Sequence, residues 1–407
     1  MTGGALEGIR ILDLTHMLSG PFGTMLLADL GADTIKVEPL AGEGTRRWCE
    51  NDPDLSVDGM GVYFMTLNRN KRSMALDLKS PAGLDLFFDL VRESDVVISN
   101  FGSGVTERLG INPERLRAEN PRIITCCISG YGSDGPDHQR PSFDLVAQAA
   151  GGMMSVTGPD AEHPVRTGPP VADIGSGLYA AMGILAALVE RDRSGEGQHV
   201  DISMLDCQIS LLNYLVSMSG FSGRDPVPMG NAHSVHVPYN SYRTADGFIV
   251  IAVLTDRFWQ NLKQVVDAPE LDRPEFDSPA GRVASRDFID ATLNRVLAGN
   301  TNAYWLERLS RFRVPAGPVN SLGQAMLDPQ LQYRNMVIDL QHPNGETRKG
   351  PGNPVKLSRH TKEQFAPAPL LGQDTAAVLA EVLGMDSAAI EALSERGIIT
   401  LGGGQSH

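Results

Sequence analysis

The sequence predicts an α/β protein, with a large Rossmann-like domain on a mostly parallel sheet and a smaller α+β domain after it. Strand and helix signals alternate through the first half of the chain, so each strand returns to the sheet through a helix and pairs in parallel. From about Gly230 the texture changes to one short strand and a series of amphipathic helices. At 407 residues the chain is long enough to divide into two or three domains.

Residues 9–14 (Ile-Arg-Ile-Leu-Asp-Leu) read as the first strand, 21–30 as a helix and 34–38 as the second strand. Residues 74–78 make another strand. Ser80-Pro81 then starts a helix, with serine at the N-cap and proline at the first helical position. An amphipathic run over 84–91 follows, then strands over 95–99 and 121–129, the latter ending at a Gly-Tyr-Gly turn. Residues 174–189, rich in Gly, Ala and Leu, read as a closely packed buried helix suited to a domain or subunit contact. Residues 195–203 turn into another strand, and apolar helical sequence over 204–219 leads away from this domain.

Beyond Gly230, 248–253 is a strand and 256–266, 285–297 and 302–312 are helices, with 313–319 a Pro/Gly-punctuated return. Residues 335–365, rich in Pro, Gly and charge, read as an extended connection, and 374–383 and 387–395 as helices. The expected organisation has 1–200 as the first part of the large domain and 201–229 as a helical linker. Residues 230–330 form the small domain, and 331–407 an extended return whose helices complete the large one.

The net charge of −14 argues against nucleic acid or an acidic membrane surface as the main partner. A small polyanion needs only a local cationic patch, and Arg69, Lys71, Arg72 and Lys79 cluster in sequence, as do Arg46 and Arg47. No apolar run approaches the roughly 18–20 residues that span a bilayer. The start lacks the basic and apolar regions of a signal peptide, so a cytoplasmic protein without a membrane partner is expected. Four cysteines with no C-x-x-C pair give neither a disulfide framework nor a zinc site, and Cys126-Cys127 read as buried small hydrophobes.

Ligands of such folds bind beyond the carboxyl ends of the strands, which directs attention to the loops at 15–20, 79–80, 100–104 and 130–135. The first, Thr15-His-Met-Leu-Ser-Gly20, is not G-x-G-x-x-G, which removes the main support for a dinucleotide enzyme. Asp173, in Gly168-Pro-Pro-Val-Ala-Asp-Ile-Gly-Ser-Gly177, follows a turn and precedes the long apolar helix. There it is either an N-cap or a carboxylate held ionised by helix amides, with Gly175 and Gly177 admitting a ligand close to the backbone. His233-Ser-Val-His236 has no acidic or thiol neighbour to complete a metal set, so no metal is expected; the loop suits contact with a carboxylate instead. Asp144, after Phe143, is either a second polar group in the cleft or a helix cap.

At these residues the chain resembles the class III CoA-transferases of the CaiB/BaiF type, which include formyl-CoA, carnitine and succinyl-CoA:dicarboxylate CoA-transferases. The resemblance runs from Leu6-Glu-Gly-Ile-Arg-Ile-Leu-Asp13 to Pro369-Leu-Leu-Gly-Gln-Asp-Thr375. Between them lie Gly31-Ala-Asp-Thr-Ile-Lys-Val-Glu38, Asn68-Arg-Asn-Lys-Arg-Ser73, Leu76-Asp77-Leu78-Lys79, Asp95-Val-Val-Ile-Ser-Asn-Phe101, Arg108-Leu-Gly110 and Ser129-Gly-Tyr-Gly132. It implies that Asp173 is the nucleophile, forming a mixed anhydride and then an aspartyl-CoA thioester, with nearby helix and glycine amides stabilising each oxyanion. By the same carry-over Leu76, Asp77, Leu78, Lys79, Asn100, Phe101 and Arg108 are CoA contacts. Lys79 and Arg108 would meet phosphates, and Asn100-Phe101 the adenosine or pantetheine region. The resemblance further implies coenzyme A thioester as a substrate, no permanently bound cofactor, and a homodimer of interlocked rings whose crossing segments would be the long connections.

Met17, Leu18, Tyr131, His233, His236 and Tyr239 are the candidate substrate contacts. Formyl-CoA transferases carry a glutamine where Leu18 stands, an arginine where Pro39 stands and a glycine-rich lid where this chain has Gly230-Asn-Ala-His-Ser-Val-His-Val-Pro-Tyr239. The loop looks more like that of members acting on short dicarboxylates. Two other readings stay open. One is an α-methylacyl-CoA racemase, whose members have a histidine where Phe143 stands. The other is a non-catalytic acyl-CoA-binding protein, which would not need Asp173.

Overall fold

A computed structural model describes residues 4–360 and 363–402. The chain forms two compact units. The first takes the described residues up to Met153, then Arg166–Arg224 and the chain from Tyr333 on; the second takes Met154–Val165 and Asp225–Gln332.

In the first unit the strands are β1 (Arg10–Asp13), β2 (Asp33–Glu38), β3 (Lys71–Leu76), β4 (Val96–Ser99), β5 (Ile124–Ser129) and β6 (His199–Ser203). They lie in the order 3-2-1-4-5-6, all parallel. This is the doubly wound order, whose direction of winding reverses between β1 and β4 and opens a crevice there. The alternation read from the sequence therefore gives the expected α/β architecture.

Period-two burial puts successive side chains on opposite faces. Leu12 and Val97 join the core under α2 (Pro81–Arg92), whereas Ile11, Val96 and Ile98 join the core under α1 (Ser19–Asp29) and α4 (Val171–Ser194). The short α3 (Asp144–Ala150) packs on α4. Helix α2 begins as its sequence dictates, with Ser80 Oγ accepting from the Gly83 amide at 3.1 Å and Pro81 at the first turn.

Helices α1 and α4 cross at glycines. A Cβ on Gly23 would lie 2.7 Å from the Gly177 carbonyl oxygen, and one on Gly177 would run into that of Ser19. This contact holds the β1–α1 loop against the head of α4.

The segment expected as a linker, 201–229, does not act as one. Its helices α5 (Met204–Leu212) and α6 (Tyr214–Ser222) belong to the first unit through Arg224, because α5 packs on α4 and β6 and carries buried Met204, Cys207 and Leu212. Helix α4 is also longer than its sequence signal. Its 24 residues are apolar enough by length and composition to cross a membrane, contrary to the reading that no run is long enough. Half of that apolar window is buried, as in a core helix.

The second unit has strands β7 (Tyr239–Arg243), β8 (Phe248–Ala252) and β9 (Ala316–Pro318) in an antiparallel sheet with β8 central. Its helices α7 (Asp256–Val266), α8 (Arg286–Leu297) and α9 (Asn302–Arg311) close over a core that includes Trp259, Leu293 and Leu309. The Pro/Gly return of the sequence thus supplies an edge strand, where prolines are tolerated. Residues 154–165 join this unit early, as the Gly230 amide donates to the Gly158 carbonyl at 2.9 Å.

The connection over 335–365 is not simply extended. Strands β10 (Val337–Gln341) and β11 (Thr347–Pro351) form a hairpin, turned at Asn344-Gly345, where Gly345 takes φ 94°. Helices α10 (Thr375–Leu383) and α11 (Ser387–Glu395) follow, and a two-residue β12 (Ile399–Thr400) pairs antiparallel with the edge strand β3. The return is fixed by side chains on the β3 backbone. Asp374 Oδ2 accepts from Ser73 N at 2.8 Å, and Thr375 Oγ1 from Ala75 N at 3.2 Å.

Candidate active site

The crevice at the winding reversal is built on a buried ion pair. Asp13, the last residue of β1, meets Lys71 Nζ at 3.0 Å with both side chains 0% exposed. It also accepts from Thr24 Oγ1 at 2.7 Å, from the Thr15 amide at 2.9 Å and from the Thr15 hydroxyl. Burial alone would raise the Asp13 pKa, but Lys71, Lys36 and two threonine hydroxyls hold it well below the ordinary carboxylate range. Desolvation lowers the Lys71 ammonium to about 8 in spite of its partner. Lys71 also donates to Asn68 Oδ1 at 2.9 Å and Pro21 O at 3.1 Å, and Lys36 Nζ to Thr15 O at 2.8 Å.

Above this base Met17 takes φ 63°, in the left-handed region that a non-glycine residue adopts only when its surroundings impose it. The imposing residue is Asn100, at the end of β4. Its Oδ1 accepts from His16 N at 2.9 Å, and its Nδ2 donates to His16 O at 2.7 Å and Ser19 Oγ at 3.3 Å. Asn100 therefore ties the two loops of the crevice together and is not among the residues that line it.

The crevice has a volume of about 940 Å³ and is lined by His16, Met17, the run Leu76–Asp77–Leu78–Lys79, Phe101 and Arg108. The expected CoA contacts other than Asn100 thus line one cavity. Lys79 and Arg108 are exposed there and form no ion pair among the described residues. Arg69, Lys71 and Arg72, which the sequence groups with Lys79, are not available to a ligand. Arg69 is buried against Asp29 at 2.8 Å, Lys71 against Asp13, and Arg72 pairs with Asp33 and Glu381. Arg46 pairs with Glu38 at 2.7 Å. Each belongs to the fold.

Asp173 lies inside the first turn of α4, two residues past its start, so it is not the N-cap. The cap position is Pro170, which has no side chain that can do the job. Asp144 caps from outside: its Oδ1 accepts from Ala172 N at 2.8 Å and more weakly from Asp173 N at 3.4 Å. Those two amides are consequently occupied, and the oxyanion role expected of the helix terminus does not fall to them in this state. Asp173 is half-buried and its carboxylate accepts no hydrogen bond among the described residues. Desolvation, then the charge of Asp144, raises it to about 7. Tyr63, in the short helix Val62–Leu67, stands in the field of both carboxylates, and its phenol is raised by burial and by them.

The remaining candidates are placed as follows. Leu18 is buried at the start of α1 and does not line the crevice. Tyr131 is half-buried with the Arg140 guanidinium 5.0 Å from its ring centroid, and its buried hydroxyl has no hydrogen-bond partner among the described residues. His233, His236 and Tyr239 come together in the second unit, with centroid distances of 4.7 Å and 5.3 Å from His233. Arg286 Nη2 donates to His233 O at 2.7 Å, and burial, then His236 and Arg286, lowers the His233 pKa. Sequence reasoning missed Asn100 as a brace, Tyr63, and Gln148, whose spacing of four from Asp144 was the available signal.

The profile described as CoA-transferase family III matches residues 6–375. The chain belongs to CoA-transferase family III. This family III CoA-transferase is 35% identical over 396 residues to the human succinyl-CoA:glutarate CoA-transferase, covering 97% of the chain and 90% of that protein. It is 38% identical over 390 residues to the succinyl-CoA:mesaconate CoA-transferase of Haloarcula hispanica, covering 93% and 96%. Among solved structures, a CaiB/BaiF family protein from Brucella suis superposes with a TM-score of 0.83 at 35% identity, covering 94% of the transferase and 100% of that chain.

Proposed function

We propose that the enzyme moves CoA from succinyl-CoA, or an acyl-CoA like it, to a short dicarboxylic acid through Asp173. The observation that carries this is the state of the Asp173 carboxylate: half-buried, with no hydrogen-bond donor among the described residues, and made basic by burial and by Asp144. The substrate class is supported by the activities named for the human and Haloarcula relatives.

An oxygen of Asp173 attacks the thioester carbonyl, the C–S bond breaks, and CoA leaves as thiolate from a mixed anhydride. The thiolate attacks the aspartyl carbonyl, the anhydride C–O bond breaks, and the donor acid departs as carboxylate. An aspartyl-CoA thioester remains, and the acceptor carboxylate runs both steps in reverse. The cycle needs no proton relay. Phe143, exposed beside Asp144, has no proton to move, which weighs against α-proton exchange.

Lys79 and Arg108 are assigned to the CoA phosphates, and Leu76–Leu78 with Phe101 to its apolar and ring portions. The imidazoles of His233 and His236 and the Tyr239 hydroxyl supply the chemistry that a second carboxylate needs. We further assign a homodimer, supported by apolar side chains left exposed on three adjoining helices: Leu178, Met182 and Val189 on α4, Ile209 on α5, and Tyr214 and Phe221 on α6.

The test is incubation with succinyl-CoA, trapping with hydroxylamine or borohydride, and mapping by mass spectrometry. An adduct on Asp173 that Asp173→Ala abolishes together with turnover is expected. No adduct across a panel of acyl-CoAs, or an active Asp173→Ala enzyme, would sink the assignment.

A further inference from the structure

In the second unit two arginines hold the His233–Tyr239 loop by its carbonyls, and only one of them is neutralised. Arg282 Nε donates to Val237 O at 3.1 Å, and its Nη2 meets Asp256 at 2.8 Å. Arg286, the first residue of α8, donates through Nη2 to His233 O at 2.7 Å and to Ser234 O at 3.3 Å. It is half-buried and forms no ion pair among the described residues. Asp287 is exposed and does not pair with it. Asp290, one turn along the same helix, is the acid spaced to neutralise it, but both of its oxygens are taken. Oδ1 accepts from the Tyr242 hydroxyl at 2.6 Å and Oδ2 from Asn240 Nδ2 at 3.2 Å. A cation at the first position of a helix also faces the positive end of the helix dipole. Such a charge is costly to keep where no anion accompanies it.

The imidazole beside it supplies a donor without a charge. The Val235 amide donates to His233 Nδ1 at 3.2 Å. A backbone amide can only donate, so Nδ1 carries the lone pair, the ring is neutral and its proton sits on Nε2. The Arg286 Nε and Nη1 donors form no hydrogen bond among the described residues and are not sealed from solvent. A guanidinium with free N–H groups next to a neutral imidazole N–H suits one carboxylate, the first meeting its charge and the second directing it.

We propose that Arg286 binds the remote carboxylate of the dicarboxylic substrate, with His233 as a neutral second donor. This role rests on the reading of the His233–Tyr239 loop as the contact for a second carboxylate. Donor acyl group and acceptor acid occupy the site in turn, so one arginine serves both halves of the cycle and favours dicarboxylic over monocarboxylic acids in each.

The experiment compares the second-order rate constants of adduct formation on Asp173 from succinyl-CoA and from butyryl-CoA, which has a methyl group in place of the carboxylate. Full-length wild type, Arg286→Met and Arg286→Lys are used. Arg286→Met should lower the constant for succinyl-CoA about 30- to 200-fold and leave that for butyryl-CoA within about threefold. Arg286→Lys, which keeps the charge, should retain most of the preference for succinyl-CoA. An equal loss with both acyl-CoAs would show an arginine that only holds the loop, and an unchanged constant for succinyl-CoA would show no role; either overturns the proposal. If Arg286→Met fails to fold, Arg286→Gln replaces it, since its amide can still donate to the His233 carbonyl without a charge, and the same selective loss is expected. A wild type that reacts with both acyl-CoAs equally would refute the dicarboxylate reading, and one that reacts with neither would refute the Asp173 assignment. Each of those results removes the role of Arg286 as well.

Discussion

At the scale of single residues, the site holds charges that the fold would be more stable without. Asp173 stands at about 7 in the folded chain against an ordinary 3.8. The folded state therefore keeps this proton over a range in which the unfolded state has lost it. The stabilisation that protonation provides is complete below about pH 4 and disappears as pH rises through 7. Asp173→Asn should consequently melt above wild type at pH 8, with the difference closing towards pH 4. At about 1.4 kcal/mol per pH unit the ceiling is about 4 kcal/mol, readable from urea unfolding at the two pH values. The cations divide in a way the sequence did not announce. Arg69 and Lys79 are ten positions apart, yet one is buried on Asp29 and the other faces the crevice. Lys79→Ala should raise KM for the acyl-CoA about 5- to 20-fold, less at high salt, with little change in stability. Arg69→Met should cost about 3–5 kcal/mol by leaving Asp29 buried and unpaired, with KM unchanged in what remains folded. The residue types were legible; that Arg69 and Lys71 find their partners 40 and 58 positions away was not.

At the scale of elements, the α1–α4 crossing links packing to the crevice. The β1–α1 loop carries His16 and Met17, and its position depends on two backbones meeting where neither residue has a side chain. Gly177→Ala should destabilise by about 1–3 kcal/mol or more through overpacking. It should also raise KM for the acyl-CoA, since α1 can accommodate a methyl only by retreating from α4; denaturant curves and steady-state kinetics check the two parts. Most elements could be read from the chain because each carries its own cause. Ser80-Pro81 starts α2, and the alternation of Ile11 and Leu12 reports a sheet covered on both faces. The β10–β11 hairpin carried its cause as well, in Asn344-Gly345, but the surrounding Pro, Gly and charge hid it. The cap of α4 carried none locally: Pro170 occupies the cap position, and the capping carboxylate lies 28 residues upstream of Ala172, whose amide it accepts from.

At the scale of the whole molecule, α4, α5 and α6 leave apolar side chains uncovered. Phe221 is 96% exposed, which is unusual for so large a hydrophobe unless a partner covers it. Light scattering should give the mass of a dimer for the wild type, and Phe221→Glu should lower the dimer fraction. A wild-type monomer at micromolar concentration would remove that assignment. The linker expected over 201–229 was misplaced for a related reason: helices with apolar residues on several sides read as a connection until the surfaces they cover are known.

The pairing of β12 with β3 bears on how the protein is made. Ile399 lies opposite Leu76, so the edge strand that leads into the Leu76–Lys79 run is completed by residues about 320 positions later. At 5–20 residues per second, a ribosome needs roughly 16–65 s to deliver that partner. Throughout synthesis of the second unit, the nascent first unit presents an open strand edge able to pair with another chain. The same strand that leads into the crevice is thus the one that most depends on the timely arrival of the carboxyl-terminal segment.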